Sequence, residues 1–422
     1  MFKRTVLSSG VRIVTEELPF LNSVSFGIWV KAGSRNETNK ENGISHFIEH
    51  LQFKGTPSRS AREICEALEE VGGQINAFTT KEYTCYYAKV LSEHLPLAVE
   101  ILTDMFFNSN YTDQDIEKEK GVIIEEIRSV EDTPDDIIHD FFAASLWHDH
   151  PLGKPILGTI ETVKNLDRKA VLEYVRQQYL NENLVVTAAG KVSHQQVLEL
   201  TESVFDIKHN SISPRETSPP NPKPTTCVSH RANEQVQLCI GTPAYGHDDP
   251  KLYPLIVLNN VLGGGLSSRL FQEIREERGL VYSIFSYNAA YFDCGLWCIN
   301  AGTNVEHLEE VLHLSLNILG EVKRRGISTA ELNRSKQQVR GELLLSMEST
   351  TSHMSRLGRT EISYGKAISV EVMVEKVMEV NAAEVLDTAG EMLTPDNFSL
   401  AIIGPYRREF DLAGACVRAG LD

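Results

Sequence analysis

The stretch His46-Phe47-Ile48-Glu49-His50 sets two imidazoles and one carboxylate at positions i, i+3 and i+4. On an α-helix these side chains share one face. Two histidines so placed can hold a zinc ion, one per chain, and leave Glu49 beside a water on the metal. Two imidazoles and a carboxylate also suit manganese or cobalt.

The surrounding residues favour a helix. Ile44, Phe47, Ile48 and Leu51 form an apolar stripe at helical spacing, and His46, Glu49, His50 and Phe53 form a second stripe on the other side. One face would anchor the helix while the other does chemistry. A catalytic zinc site takes three protein ligands, so one must come from elsewhere. A helix over 115–130, capped by Thr112, offers Glu119 and Glu126 two turns apart on one face. Its opposite face, Ile116, Ile123, Ile127 and Val130, is apolar, so this helix should pack as well.

The chain has 422 residues, enough for two or more domains with full cores. A net charge of -17 argues against nucleic acid as the main partner. No run approaches the length of a membrane span, and the N-terminus reads as a hairpin turning at Ser9-Gly10. The seven cysteines are scattered and odd in number, which suits reduced thiols and a cytoplasmic location. The 294–298 stretch reads as a core strand, and His148-Asp149-His150 as a loop rather than a ligand set.

Residues 206–226 hold Pro214, Pro219, Pro220, Pro222 and Pro224, a linker composition that splits the chain into 1–205 and 227–422. The halves echo each other. The helix ending in Glu125-Glu126 is matched by one running through Gly341-Glu342, and Asn183–Gly190 by Asn397–Gly404. Glu342 lies 216 residues after Glu126, and Gly404 lies 214 after Gly190. Such near-constant offsets indicate duplication. Each half reads as α+β, a mainly antiparallel sheet covered by helices, with strands at 24–30 and 235–240 and a hairpin over 75–90. Helices are expected at 62–71 and 95–107. The histidine motif occurs only in the first half.

In these features the whole chain resembles the pitrilysin/insulinase metallopeptidases, or inverzincins, and is nearest to their short processing-peptidase-like branch. Their H-x-x-E-H motif is followed about 76 residues later by a ligand glutamate; 76 residues separate His50 from Glu126. The resemblance therefore implies His46, His50 and Glu126 as metal ligands. It implies Glu49 as the base that takes a proton from the attacking water and gives it to the leaving amine. Glu119 matches a residue that orients a ligand or the water. Arg275 and Tyr282 match an arginine and a tyrosine that reach the substrate, where an oxyanion needs donors. Asn76, Ala77, Phe78 and Thr79 fall where the family offers a strand edge to extended peptides. Phe53 matches a residue lining the pocket after the scissile bond. Asp136 and Asp140 align with acidic positions that bind a basic residue, although an aspartate stands where glutamate occurs at one of them.

The implied protein is a zinc-dependent endopeptidase or oligopeptidase acting on unstructured peptides or protein extensions, with a preference for a basic residue near the cut. Two homologous domains per chain imply a homodimer that closes a chamber, with no membrane or nucleic-acid partner. Two other readings stand beside it. One is a catalytically inactive family member serving as a partner or structural subunit, although those lose motif residues that this chain keeps. The other is a zinc-stabilised peptide-binding protein.

Overall fold

The computed structural model describes residues 2–206, 215 and 217–422. Pro214 of the expected linker lies outside the described residues. Among the described residues, no helix is long and apolar enough to cross a membrane.

The first sheet has six strands: β1 (Phe2–Val6), β2 (Arg12–Glu17), β3 (Ser23–Val30), β4 (Gln74–Thr79), β5 (Thr84–Leu91) and β6 (Leu184–Gly190). Their spatial order is β1-β2-β6-β3-β5-β4. Every pair is antiparallel except β2 with β6. The turn between β1 and β2 includes Gly10, at φ +97, where a side chain would be strained.

β3 is buried almost throughout because both faces of the sheet are covered. Val24, Phe26, Ile28 and Val30 enter one core with Leu184, Val186 and Ala188 of β6. Trp29 points the other way, into a cluster with Val185, Ala189, Met354 and Leu357. That second cover is the helix Thr350–Tyr364, drawn from the far half of the sequence. It approaches closely because Gly358 has no side chain; a Cβ there would meet the Trp29 ring at 2.1 Å.

The second sheet has five strands: β7 (Thr226–His230), β8 (Val236–Ala244), β9 (Val281–Ala290), β10 (Gly295–Thr303) and β11 (Ser399–Gly404). Its order is β7-β11-β8-β10-β9, and β7 with β11 is its one parallel pair. Strand for strand this repeats β2-β6-β3-β5-β4, so the duplication seen as near-constant offsets is a duplicated sheet. Leu238, Ile240, Trp297, Ile299, Leu400 and Ile402 face one core. Cys239, Leu296, Cys298, Ala401 and Ile403 face another with Ile138, Phe142 and Leu146.

The helices of the first half are α1 (Ile44–Gln52), α2 (Ala61–Glu69), α3 (Leu95–Asn108), α4 (Asp113–Glu131) and α5 (Pro134–Leu146). Thr112 caps α4 by accepting from the Asp115 N–H at 3.1 Å. Ile116, Ile123 and Ile127 of α4 are buried with Ile44, Phe47, Ile48 and Leu51 of α1. Val130 is only half-buried and stays out of that cluster.

The compact units follow the two halves except at two segments. One unit comprises described residues within Met1–Arg128, Lys154–Ser218 and Ser346–Ile368; the other comprises Ser129–Gly153, Pro219–Leu345 and Ser369–Asp422. Thus α5 belongs with the second sheet and Thr350–Tyr364 with the first, whereas sequence continuity alone groups them the other way. The junction at 218–219 falls inside the expected linker, whose described residues before β7 form neither helix nor strand.

Candidate metal centre

α1 begins at Gly43, whose φ of +96 suits glycine, and runs just over two turns. Its apolar stripe fixes its rotation, which turns His46, Glu49 and His50 to a common side. α4 packs on α1 through its isoleucines and presents Glu119 and Glu126 to the same place.

The ligand atoms of His46, His50 and Glu126 lie within 4.8 Å of one another. His46 Nε2 is 3.8 Å from Glu126 Oε1, and His50 Nε2 is 3.7 Å from Glu126 Oε2. These separations are too long for direct hydrogen bonds and leave room for a common cation. His150 and His148 join no such group among the described residues, and His148 instead meets Asp149 at 3.0 Å in an exposed turn.

The electrostatics suit a metal. Burial, then the neighbouring His50, pushes the His46 imidazole down to about 3, against a weaker pull from Glu119, so the ring is neutral at ordinary pH. His50 Nδ1 donates to Glu119 Oε1 at 2.8 Å, which leaves Nε2 with its lone pair free to ligate. Glu119 is itself buried. Burial opposes its ionisation, but the His50 hydrogen bond and Lys54, at 2.8 Å from Oε2, outweigh that and hold its carboxyl below the usual range. The donor set therefore fits a divalent cation.

Glu49 stands one residue before His50, with its carboxylate receiving a hydrogen bond from Thr79 Oγ1. Burial pushes its carboxyl up; the Thr79 bond and His50 oppose the shift, and Glu126 adds to it. Thr79 ends β4, the edge strand of the first sheet. Asn76, Ala77 and Phe78 precede it on that strand, Asn76 exposed and the other two half-buried. Phe78 packs edge-on to Trp29 at 5.7 Å. Phe53 is the half-buried residue that ends α1.

The remaining expected site residues belong to the second unit. Arg275 lies on a short π-helical turn, with its guanidinium 4.7 Å from the Phe271 ring and 5.4 Å from the Tyr282 ring. Tyr282 is 79% exposed on the edge strand β9, so it is not a core residue. Asp136 and Asp140 sit on α5, whose Ile138, Phe142 and Leu146 face the core.

Two supporting residues, Lys54 and Glu37, are not singled out by the sequence, which assigns a third, Thr79, a different role. Lys54 follows His50 by four residues, a helical interval that could have flagged its ion pair with Glu119. Thr79 is expected on the peptide-binding strand edge, and the structure adds its hydrogen bond to Glu49. Glu37, a buried carboxylate before α1, left no periodic signal.

Residues 12–160 match the family model described as Insulinase (Peptidase family M16), and residues 165–339 match the Peptidase M16 inactive domain. A Bacillus subtilis protein named uncharacterized zinc protease YmxG is 42% identical over 96% of this chain and 98% of its own length. A Streptomyces coelicolor protein named uncharacterized zinc protease SCO5738 is 40% identical over 96% of this chain and 90% of its own. A crystal structure of a protease from Helicobacter pylori shares the fold at 22% identity, with a TM-score of 0.90 over 96% of this chain and 99% of that one. This chain belongs to the M16, or insulinase, family of peptidases.

Proposed function

We propose that this protein is a zinc-dependent endopeptidase that cuts unstructured peptides or protein extensions. The observation that carries the reading is the convergence of His46, His50 and Glu126 within 4.8 Å, with Glu49 on the helix that carries both histidines. Zinc held by those three residues would supply a Lewis acid that polarises the scissile carbonyl and acidifies water.

Glu49 then has a defined task. Its burial raises the basicity of its carboxylate, which accepts the proton of the attacking water and delivers it to the departing amine. Thr79 holds that carboxylate in place, and Glu119 holds the His50 tautomer. The edge of β4 offers backbone groups to an extended substrate beside Glu49, a mode that tolerates varied sequences.

The remaining assignments rest on the family resemblance. Arg275 and Tyr282 donate to the oxyanion, Phe53 lines the pocket after the cut, and Asp136 and Asp140 prefer a basic side chain. Two chains form a homodimer whose closed chamber excludes folded proteins, and the enzyme works in the cytoplasm.

The test is cleavage of a quenched fluorescent peptide carrying one arginine, with and without chelator, beside Glu49→Gln. The expected result is chelator-sensitive cutting that falls by roughly 10²–10⁴-fold in the variant while zinc stays bound. Undiminished turnover in that variant would remove Glu49 as the base. A zinc-loaded wild-type dimer that binds but never cuts peptides would point to a binding protein.

A further inference from the structure

The two histidines of α1 are held in different ways. The His50 ring is anchored from behind by Glu119. His46 is 8% exposed, and its Nδ1 is buried with no hydrogen-bond partner among the described residues. Among the described residues no hydrogen bond at Nδ1 orients that ring, so its aim depends on packing and on the backbone beneath it.

That backbone is the first turn of α1, since His46 is the third residue of the helix. First-turn N–H groups lack partners within a helix and need outside acceptors. The usual solution, a Ser, Thr, Asp or Asn at the cap, is closed here. The cap is Gly43 at φ +96, and a Cβ there would meet Leu157 O at 2.6 Å and Gly158 Cα at 2.9 Å.

Glu37 fills the gap from outside the helix. Its Oε2 accepts from the Gly43 N–H at 2.8 Å and from Asn42 Nδ2 at 3.1 Å, and its Oε1 accepts from the Ser45 N–H at 2.9 Å. Both oxygens are used, and the carboxylate stands at the positive end of the helix. Ser45 is the residue immediately before His46.

We infer that Glu37 is the positioning residue for His46, setting through the backbone of the first turn what Glu119 sets for His50 through its ring. This role rests on the zinc reading above and deepens it. A role in folding alone accounts poorly for a charged group here. Even with hydrogen bonds from Gly43, Ser45 and Asn42, burial pushes the Glu37 carboxyl up to about 7, so its ionised form is costly where it sits.

The test measures zinc affinity of the full chain by competition with a chromophoric chelator. It compares wild type, Glu37→Gln, Glu37→Asp and His46→Ala, and records the melting temperature of each metal-free protein and the visible spectrum of its cobalt form. Glu37→Gln is isosteric but turns an amide N–H₂ toward a donor, so zinc affinity should fall about tenfold or more and the cobalt bands should shift. Glu37→Asp keeps the charge one methylene back and should recover part of that loss. In a His46→Ala background Glu37→Gln should cost no further affinity.

A lowered melting temperature with wild-type zinc affinity and cobalt bands in Glu37→Gln would overturn the role and leave Glu37 a fold residue. Should that variant not fold, Glu37→Asp decides by the same readings, wild-type affinity again overturning the role. A wild type that binds no zinc, or whose affinity His46→Ala leaves intact, would remove the zinc reading itself and this role with it.

Discussion

The two units use one sheet plan for different ends. In the first, the helix after the central strand β3 is α1, which carries His46, Glu49 and His50. In the second, the helix following β8 is Leu252–Gly263, whose sequence holds no histidine, aspartate or glutamate. Its polar residues serve structure instead: Asn259 Oδ1 accepts from Trp297 Nε1 at 2.9 Å. The helix Thr329–Ser346 repeats α4, and at the 216-residue offset Glu119 becomes Ser335, which donates to Val257 O at 3.0 Å. The same sheet plan thus occurs with and without the histidine motif. The candidate ligands on α1 are therefore additions to the fold and not requirements of it, whereas Glu126 keeps a glutamate, Glu342, as its counterpart.

That contrast is most easily broken at the ligands themselves. His46→Ala or His50→Ala should leave only weak residual zinc binding and reduce peptide cleavage to background while the protein stays folded. Zinc titration and circular dichroism check this; loss of the fold in the metal-free variants would mean that the centre is structural.

A smaller effect is expected one step out. Glu119→Gln should weaken zinc about 10–100-fold by releasing the His50 ring. Its counterpart Ser335→Ala should cost about 1 kcal/mol of stability and leave zinc affinity unchanged. Equal effects of the two on zinc would erase the distinction between the units.

The exchanged helix gives a third test. Gly358→Ala drives a methyl into the Trp29 ring and should destabilise by roughly 1–3 kcal/mol. Gly341→Ala, with nothing within 4 Å of its Cβ, should stabilise by roughly 0.5–1 kcal/mol. Denaturant unfolding of both variants reads the difference, and a neutral Gly358→Ala would show that the helix does not dock on Trp29.

The smallest effect is a pH dependence. The Glu37 carboxyl is raised from 4.5 to about 7 in the folded protein. Between those values the folded state keeps a proton that the unfolded chain has released, so the group's contribution to stability is lost as pH rises from about 4.5 to 7 and is level above. The melting temperature of metal-free Glu37→Gln minus that of wild type should therefore climb across that window. A flat difference would mean that Glu37 titrates normally.

Much of this was legible in the residues. The apolar stripe Ile44, Phe47, Ile48, Leu51 fixed both the existence and the rotation of α1, because helical periodicity is a local property that survives in the sequence. The offsets of 216 and 214 residues anticipated two sheets of matching order, since duplication preserves spacing. Periodicity alone left Glu119 and Glu126 equivalent; the family spacing separated them as candidates, and packing then gave them different surroundings. Glu119 is buried against His50 and Lys54, while the Glu126 side chain is 41% exposed.

Tertiary structure alone decided which residues hold the centre in place. Glu37 reaches Gly43 and Ser45 across a loop, Thr79 reaches Glu49 from a strand, and α5 and Thr350–Tyr364 each cover the sheet of the other half. None of these contacts has a period or a composition to betray it. Hydrogen bonds and docked faces between segments distant in the chain depend on where folding brings them. The sequence determined the helices, the strands and the residue types able to bind a cation; the three-dimensional packing decided which of those residues meet.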